Sequence, residues 1–352
     1  MLKLMILDSV LLTVAKLRFS RVRKYFWPRE MVDSLLESLK TVSSRTDVCS
    51  GEVPCFDGSS ARFSVCSYGN LKVDEFVGEG HEIANDWSAN TTGVYSAAVD
   101  PWHHYHAKPN PPAALVAGSS RARRLGATYY EFTQGPASFF LLDTRTYRSD
   151  NHEPFTSENK TMLGAQQLED FLAWLRRPEP KGVQWKIVAS SVPLTKNWPV
   201  NTKDTWGGFL SERRKVLEAM WDAGARGVGV VVVSGDRHEF AATKFPPPEG
   251  GRWPETAAPH EFSCSPLNQF SSPVPTYRQY DDEDVAIKYI HSGNAKFGAL
   301  TIESHEGGTR SSLTYRLFID GNEVWDTVVL TPTVPEVEKT PASFWRRIMG
   351  GA

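Results

Sequence analysis

One run of valines constrains this chain more than any other feature. Residues 228–233 read Val-Gly-Val-Val-Val-Val, the run stops at Ser234-Gly235, and Asp236, Arg237, His238 and Glu239 follow. β-branched residues are stiff and suit a pleated strand. A strand that is apolar on both faces reads as a buried strand of a parallel sheet. In open α/β sheets, ligands bind in the crevice beyond the carboxyl ends of the strands. A carboxylate and an imidazole two residues apart, Asp236 and His238, can both point into that crevice. Both are metal-ligand types, and Arg237 between them can hold a phosphate oxygen. The plainer alternative is a strand that ends in a polar turn.

The neighbouring segments supply the layers such a strand needs. Tyr129 to Thr133 and Ser138 to Leu142 read as a hairpin around Gln-Gly-Pro. Gly164 to Arg177 has helical spacing, with Leu168, Phe171, Leu172 and Leu175 on one face. Trp185 to Ser190 reads as a strand, and Phe209 to Ala223 as a helix with Leu210, Val216, Leu217 and Met220 facing inward. Strand, helix, strand, helix, strand is the mark of crossover units in a layered α/β sheet. Beyond residue 245 the pattern is all strand: His260–Cys264, Ile287–His291, Ala299–Glu303, Ser312–Ile319 and Val324–Leu330, with Asp320-Gly321 as a hairpin turn.

Composition adds bounds. The chain has 352 residues, 40% hydrophobic and 23% charged, which suits a globular protein with a sizeable core. A net charge of -2 gives no reason to expect a nucleic-acid partner. The four cysteines, at 49, 55, 66 and 264, lack zinc-site spacing and read as free thiols. Residues 1–74 have a different texture, with a helix expected over Pro28–Val42. The apolar stretch Leu4–Ala15, broken by Asp8, is too short to span a bilayer. With the basic residues up to Lys24 it reads as an amphipathic helix able to touch a membrane surface through residues 1–24. Residues 336–352 form a tail, and no compartment is indicated.

Three strand ends carry polar residues: Asp143/Arg145, Ser190/Ser191 and Asp236/Arg237/His238. If these strands are neighbours, their ends meet in one cleft. With His81, Asn85 and Asp86 from an upstream loop, the cleft has the nitrogen and oxygen donors of a two-metal centre that cleaves phosphate esters. Each residue also has a plainer reading. His81 fits a solvated loop, and Asp143 with Arg145 fits an ion pair that closes a strand end. The paired serines fit a turn, since no Gly-x-Ser-x-Gly elbow is present. His103, His104 and His106 fit packing beside Trp102 and Tyr105.

Several ordered blocks resemble one family. Leu141-Leu-Asp-Thr-Arg-Thr-Tyr-Arg148, Leu163-Gly-x-x-Gln-Leu168, Trp185–Pro193, Asp204-Thr-Trp-Gly-Gly-Phe209 and Ser234-Gly-Asp-Arg-His-Glu239 are similar, in this order, to alkaline phosphatase D (PhoD-like) metallophosphoesterases. Phe262–Phe270 and Tyr289–Gly298 resemble the fungal-type branch. The resemblance covers residues 75–335. It implies a calcineurin-like α/β sandwich of two mixed sheets flanked by helices, incomplete at the N-terminus. It also implies hydrolysis of phosphomonoesters or phosphodiesters with calcium and iron. By motif, it makes Asp143, Arg145 and Arg237 catalytic, and His81, Asn85, Asp236 and His238 metal ligands.

The departures are specific. His81, Glu82 and Asn85 match the family's Asp-Asp-His-Glu block and the asparagine that follows it, but Glu79-Gly80 stands where that block has its two aspartates. The family's opening blocks, an aspartate after the first strand and then Gly-Asp-x-x-Tyr, find no match in residues 1–75. The expected function is therefore a metal-dependent phosphoester hydrolase acting on small phosphate esters, with reduced or absent turnover. The alternative is an anion-binding or scaffold protein on the same fold.

Overall fold

The computed structural model describes residues 127–266, 274–305 and 310–334, together with the backbone of three earlier strands. Those three are β1 (Lys3–Leu7), β2 (Val10–Thr13) and β3 (Ser60–Cys66). Next come β4 (Tyr130–Gln134), β5 (Ala137–Leu141), α1 (Gly164–Arg176), β6 (Trp185–Ser190), α2 (Leu210–Ala225) and β7 (Gly229–Ser234). The chain continues through β8 (Phe240–Lys244), β9 (His260–Cys264), β10 (Val285–Ile290), β11 (Lys296–Ser304), β12 (Ser311–Ile319) and β13 (Asn322–Leu330).

Two mixed sheets result. The first has the order β10-β8-β9-β7-β6-β5-β4, and the second β13-β12-β11-β3-β1-β2. In the first sheet β5, β6, β7 and β9 run parallel, and β4, β8 and β10 are antiparallel to their neighbours. All of β7 is buried, as its valine run requires. Side chains alternate across a strand, so Val231 and Val233 join the cluster with Leu300, Leu313, Tyr315 and Leu317 of the second sheet. Val230 and Val232 join the cluster with Phe171, Leu175, Val216 and Met220 of α1 and α2. The layers are therefore helix, sheet, sheet. Phe262 stacks on Tyr315 with ring centroids 4.1 Å apart, and Trp185 Nε1–H donates to Ser311 Oγ at 2.9 Å across the sheets.

The expected two-sheet α/β architecture is present, and most expected elements lie within a few residues of the observed ones. Four details differ. β8 was not expected: Phe-Ala-Ala-Thr-Lys carries little strand signal, yet it is held between β9 and β10. The buried face of α1 is Gln167, Asp170, Phe171, Trp174 and Leu175, with Leu168 and Leu172 only half-buried. On α2, Leu210 is half-buried, whereas Val216, Leu217 and Met220 face inward as expected. The amphipathic helix expected at the N-terminus is replaced over Lys3–Leu7 and Val10–Thr13 by strands of the second sheet. A short apolar run does not distinguish helix from strand by periodicity. The helix expected over Pro28–Val42 lies outside the described residues. Among the described residues, no helix is long and apolar enough to cross a membrane.

Candidate functional site

The parallel strands end in register. Leu141 lies opposite Ala189, Ser190 opposite Ser234, and Ser234 opposite Ser263. The residues that follow β5, β6, β7 and β9 therefore lie along one sheet edge. The sequence placed Asp143, Ser190/Ser191 and Asp236–His238 at a common cleft, and the topology brings these three strand ends side by side.

The side chains divide into two groups. Asp143 and Arg145 face inward. Asp143 has no exposed surface. Its carboxylate accepts from Thr128 Oγ1, from Arg145 N–H at 3.0 Å and from Thr146 N–H at 2.8 Å, and so closes the turn after β5. Burial pushes its carboxyl up, opposed by those same bonds. The Arg145 guanidinium grips Asp204 with both Nη atoms, the second at 2.7 Å, and Arg148 adds Nη1 at 2.6 Å. Burial alone would raise the Asp204 carboxyl, but the bonds and charges of the two arginines bring it down to about 2. Asp143 and Arg145 are both buried and committed to internal bonds, and the ion pair runs from Arg145 to Asp204. The serines are turn formers as expected. Ser190 Oγ donates to Val192 O at 2.6 Å, and Ser191 Oγ bonds Thr144 Oγ1.

The loop after β7 is different. Asp236 and His238 both adopt the left-handed backbone region, at φ 74° and 57°. For residues other than glycine this costs about 1–3 kcal/mol each and recurs at functional sites. Their side chains are half-buried. His238 N–H donates to Ser265 Oγ at 2.7 Å, and Lys296 Nζ donates to His238 O at 3.3 Å, so β9 and β11 hold the loop in place. Arg237 lies between them, 10% exposed, with Nη1 3.6 Å from Asp236 and Nη2 donating to Val200 O at 2.6 Å.

Behind this loop stand carboxylates that the sequence did not single out. Glu261, on β9, accepts from Leu194 N–H at 2.6 Å, Thr195 N–H at 2.9 Å and Ser234 Oγ at 2.8 Å. It fastens the loop after β6 to the end of β7. Burial pushes its carboxyl up to about 7. Asp284 accepts from Thr195 Oγ1 at 2.9 Å and Lys196 N–H at 2.7 Å, and pairs with Arg213. In the sequence Asp204 opens a family-like block and Glu261 lies in the expected strand His260–Cys264, but neither position announces a role in this framework. Glu261 and Asp284 have no local motif, because their partners are distant in sequence.

Asp236 and His238 are suitable donors for a hard or borderline cation. A catalytic zinc-type ion takes roughly three protein ligands, and among the described residues no group of three His, Cys, Asp or Glu side chains is placed to hold one. The described residues alone thus do not make a metal centre. His81 and Asn85 lie outside the described residues. β1 ends at Leu7, and Asp8, the next residue in sequence, is also outside them.

A family described as PhoD-like phosphatase matches residues 78–313. No curated protein matches. The chain is similar to a solved structure of PhoD at 18% identity and a TM-score of 0.48, covering 78% of this chain and 56% of that one. It is also similar to the purple acid phosphatase PPD1 from yellow lupin (Lupinus luteus) seeds, at 9% identity and a TM-score of 0.48, covering 100% of this chain and 55% of that one. The chain thus spans just over half the length of either structure.

Proposed function

This chain belongs to the PhoD-like phosphatase family, and on that premise we propose that the loop after β7 is a phosphoester site of low turnover. The observation that carries the proposal is the Asp236-Arg237-His238 loop at the carboxyl edge of four parallel strands, held with two non-glycine residues in the left-handed region. Asp236 and His238, with His81 and Asn85, are the proposed metal ligands, and Arg237 the phosphate-binding cation. Calcium and iron are the proposed ions, and a small phosphate ester the substrate. Metal ions held there would polarise the phosphoryl group and acidify water.

The protein's own part is to place charge. Arg237 offers a planar set of donors matched to a phosphoryl oxygen. Asp204 draws Arg145 and Arg148 away from the edge, which leaves Arg237 as the cation of this loop. Low turnover follows from Glu79-Gly80, which replaces two family aspartates. Loss of one electrostatic stabiliser costs about 100- to 1000-fold in rate. The same substitution supports a second reading, in which the site holds an oxyanion without hydrolysing it.

Metal analysis of the purified chain, with an aryl phosphate assay in added calcium and iron, tests both readings. The His238→Ala variant is expected to lose most bound metal and any hydrolysis while its circular dichroism is retained. Unchanged metal content would leave His238 a structural role only. Wild-type turnover above about 1 per second, in the usual enzyme range, would refute the low-turnover reading. Metal bound without any turnover would favour the second.

A further inference from the structure

The loop between β6 and α2 runs past the Asp236–His238 loop and brings one large ring with it. Trp198 is fully buried. Its indole N–H donates to Glu239 Oε2 at 2.8 Å. Glu239 also accepts from Thr276 N–H at 3.0 Å, Thr276 Oγ1 at 2.7 Å and Tyr289 Oη at 2.9 Å. The Tyr277 ring meets the indole edge-on at 4.8 Å. A carboxylate with this many donors is rigid, and it gives the indole a single orientation. The guanidinium of Arg237 lies against that indole, its Cζ 5.8 Å from the ring centroid, within cation–π range.

Arg237 is nine-tenths buried, yet its Nε–H has no hydrogen-bond partner among the described residues. Native folds rarely leave a buried donor unmet. An oxyanion that displaces the atoms now covering it would satisfy it. We propose that Trp198, locked by Glu239, is the positioning residue of an anion receptor. The indole holds the Arg237 guanidinium in one plane, with Nε–H kept for a phosphoryl oxygen. This rests on the reading of the loop as a phosphoester site. It adds a residue from outside the loop and a reason why the receptor favours planar, two-point recognition of an oxyanion.

The test uses the full chain and inorganic phosphate. In proton–nitrogen NMR spectra, the Arg237 Nε–H signal is assigned by its loss in Arg237→Lys. In the wild type it is expected to be displaced by the indole ring and to shift further as phosphate is added. In Trp198→Leu it should move to the position of a free arginine, and phosphate should bind about five- to tenfold more weakly, between the scales of an exposed and a desolvated cation–π contact. Trp198→Phe, which retains a ring, should recover part of the affinity. Trp198→Leu combined with Arg237→Lys should lose no more affinity than Arg237→Lys alone. Two results overturn the positioning role: an Arg237 signal unmoved by Trp198→Leu, or additive losses in the double variant. If phosphate binds nowhere and shifts nothing in the wild type, the phosphoester reading itself fails, and the receptor with it.

Discussion

At the scale of single residues, this edge is governed by buried charge. Asp204 neutralises two buried arginines, so its removal would strand them without a counter-ion. Breaking a buried pair by deleting one partner costs about 3–5 kcal/mol. Asp204→Ala is expected to lose stability on that scale in urea unfolding, and Asp204→Asn nearly as much, since it keeps shape without charge. A loss under about 1 kcal/mol, typical of a surface pair, would show that water reaches the arginines. Glu261 and His260 give opposing pH dependences. The folded Glu261 carboxyl titrates at about 7 against an ordinary 4.5. Between these values a folded Glu261 binds more protons than an unfolded one, so its contribution to stability falls as pH rises through the window, whereas His260, which burial lowers from 6.5 to about 4, contributes a rise between those values. Glu261→Gln is expected to remove the falling contribution, so that stability rises with pH more steeply between pH 4.5 and 6.5 than in the parent chain. An unchanged slope in the variant would assign the titration to another group.

At the scale of elements, legibility followed side-chain chemistry. The valine run of β7 was readable because both its faces are apolar and covered. The α1 stripe was legible in part: Phe171 and Leu175 are buried as expected, but polar residues also take inward places. Gln167 Nε2 donates to Asp143 O at 2.7 Å, and Tyr129 Oη donates to Asp170 at 2.7 Å. No apolar pattern anticipates such bonds; Trp174 joins the core beside Phe171 and Leu175, and Leu168 and Leu172, half-buried, pack against it. β8 was missed because two alanines and a threonine carry little signal away from their sheet neighbours. At the site, Asp236 and His238 were legible from their place after a strand. Trp198, Glu239 and Glu261 were not, because each acts on a partner far along the chain. Gly229 gives the element-scale test. A Cβ built there would lie 2.4 Å from the Trp185 ring. Gly229→Ala is expected to cost about 1–3 kcal/mol through overpacking, read as a lower urea midpoint. It should also disturb the Trp185–Ser311 bond, seen in tryptophan fluorescence. An unshifted midpoint would mean that Trp185 has room to move.

At the scale of the whole molecule, the second sheet joins distant parts of the chain. β3 pairs with β11, from Ser60 opposite Glu303 to Val65 opposite Gly298. The apolar inner face of the first sheet, with Phe139, Trp185, Ile187, Val231 and Phe262, is covered by side chains of β11 and β12. The sandwich is therefore bound to the order in which a ribosome emits its strands. A growing chain that has already made the Asp236–His238 loop still lacks the strands that close its core, and exposed apolar faces of this kind invite aggregation. A chain ending at residue 294 is expected to bind a hydrophobic dye strongly and to be cut rapidly by protease, whereas the full chain resists. A protease-resistant fragment would show that the first sheet and its helices fold unaided. Otherwise translation speed through the last hairpins, together with chaperone cover until residue 319 emerges, would set how much folded protein a cell obtains.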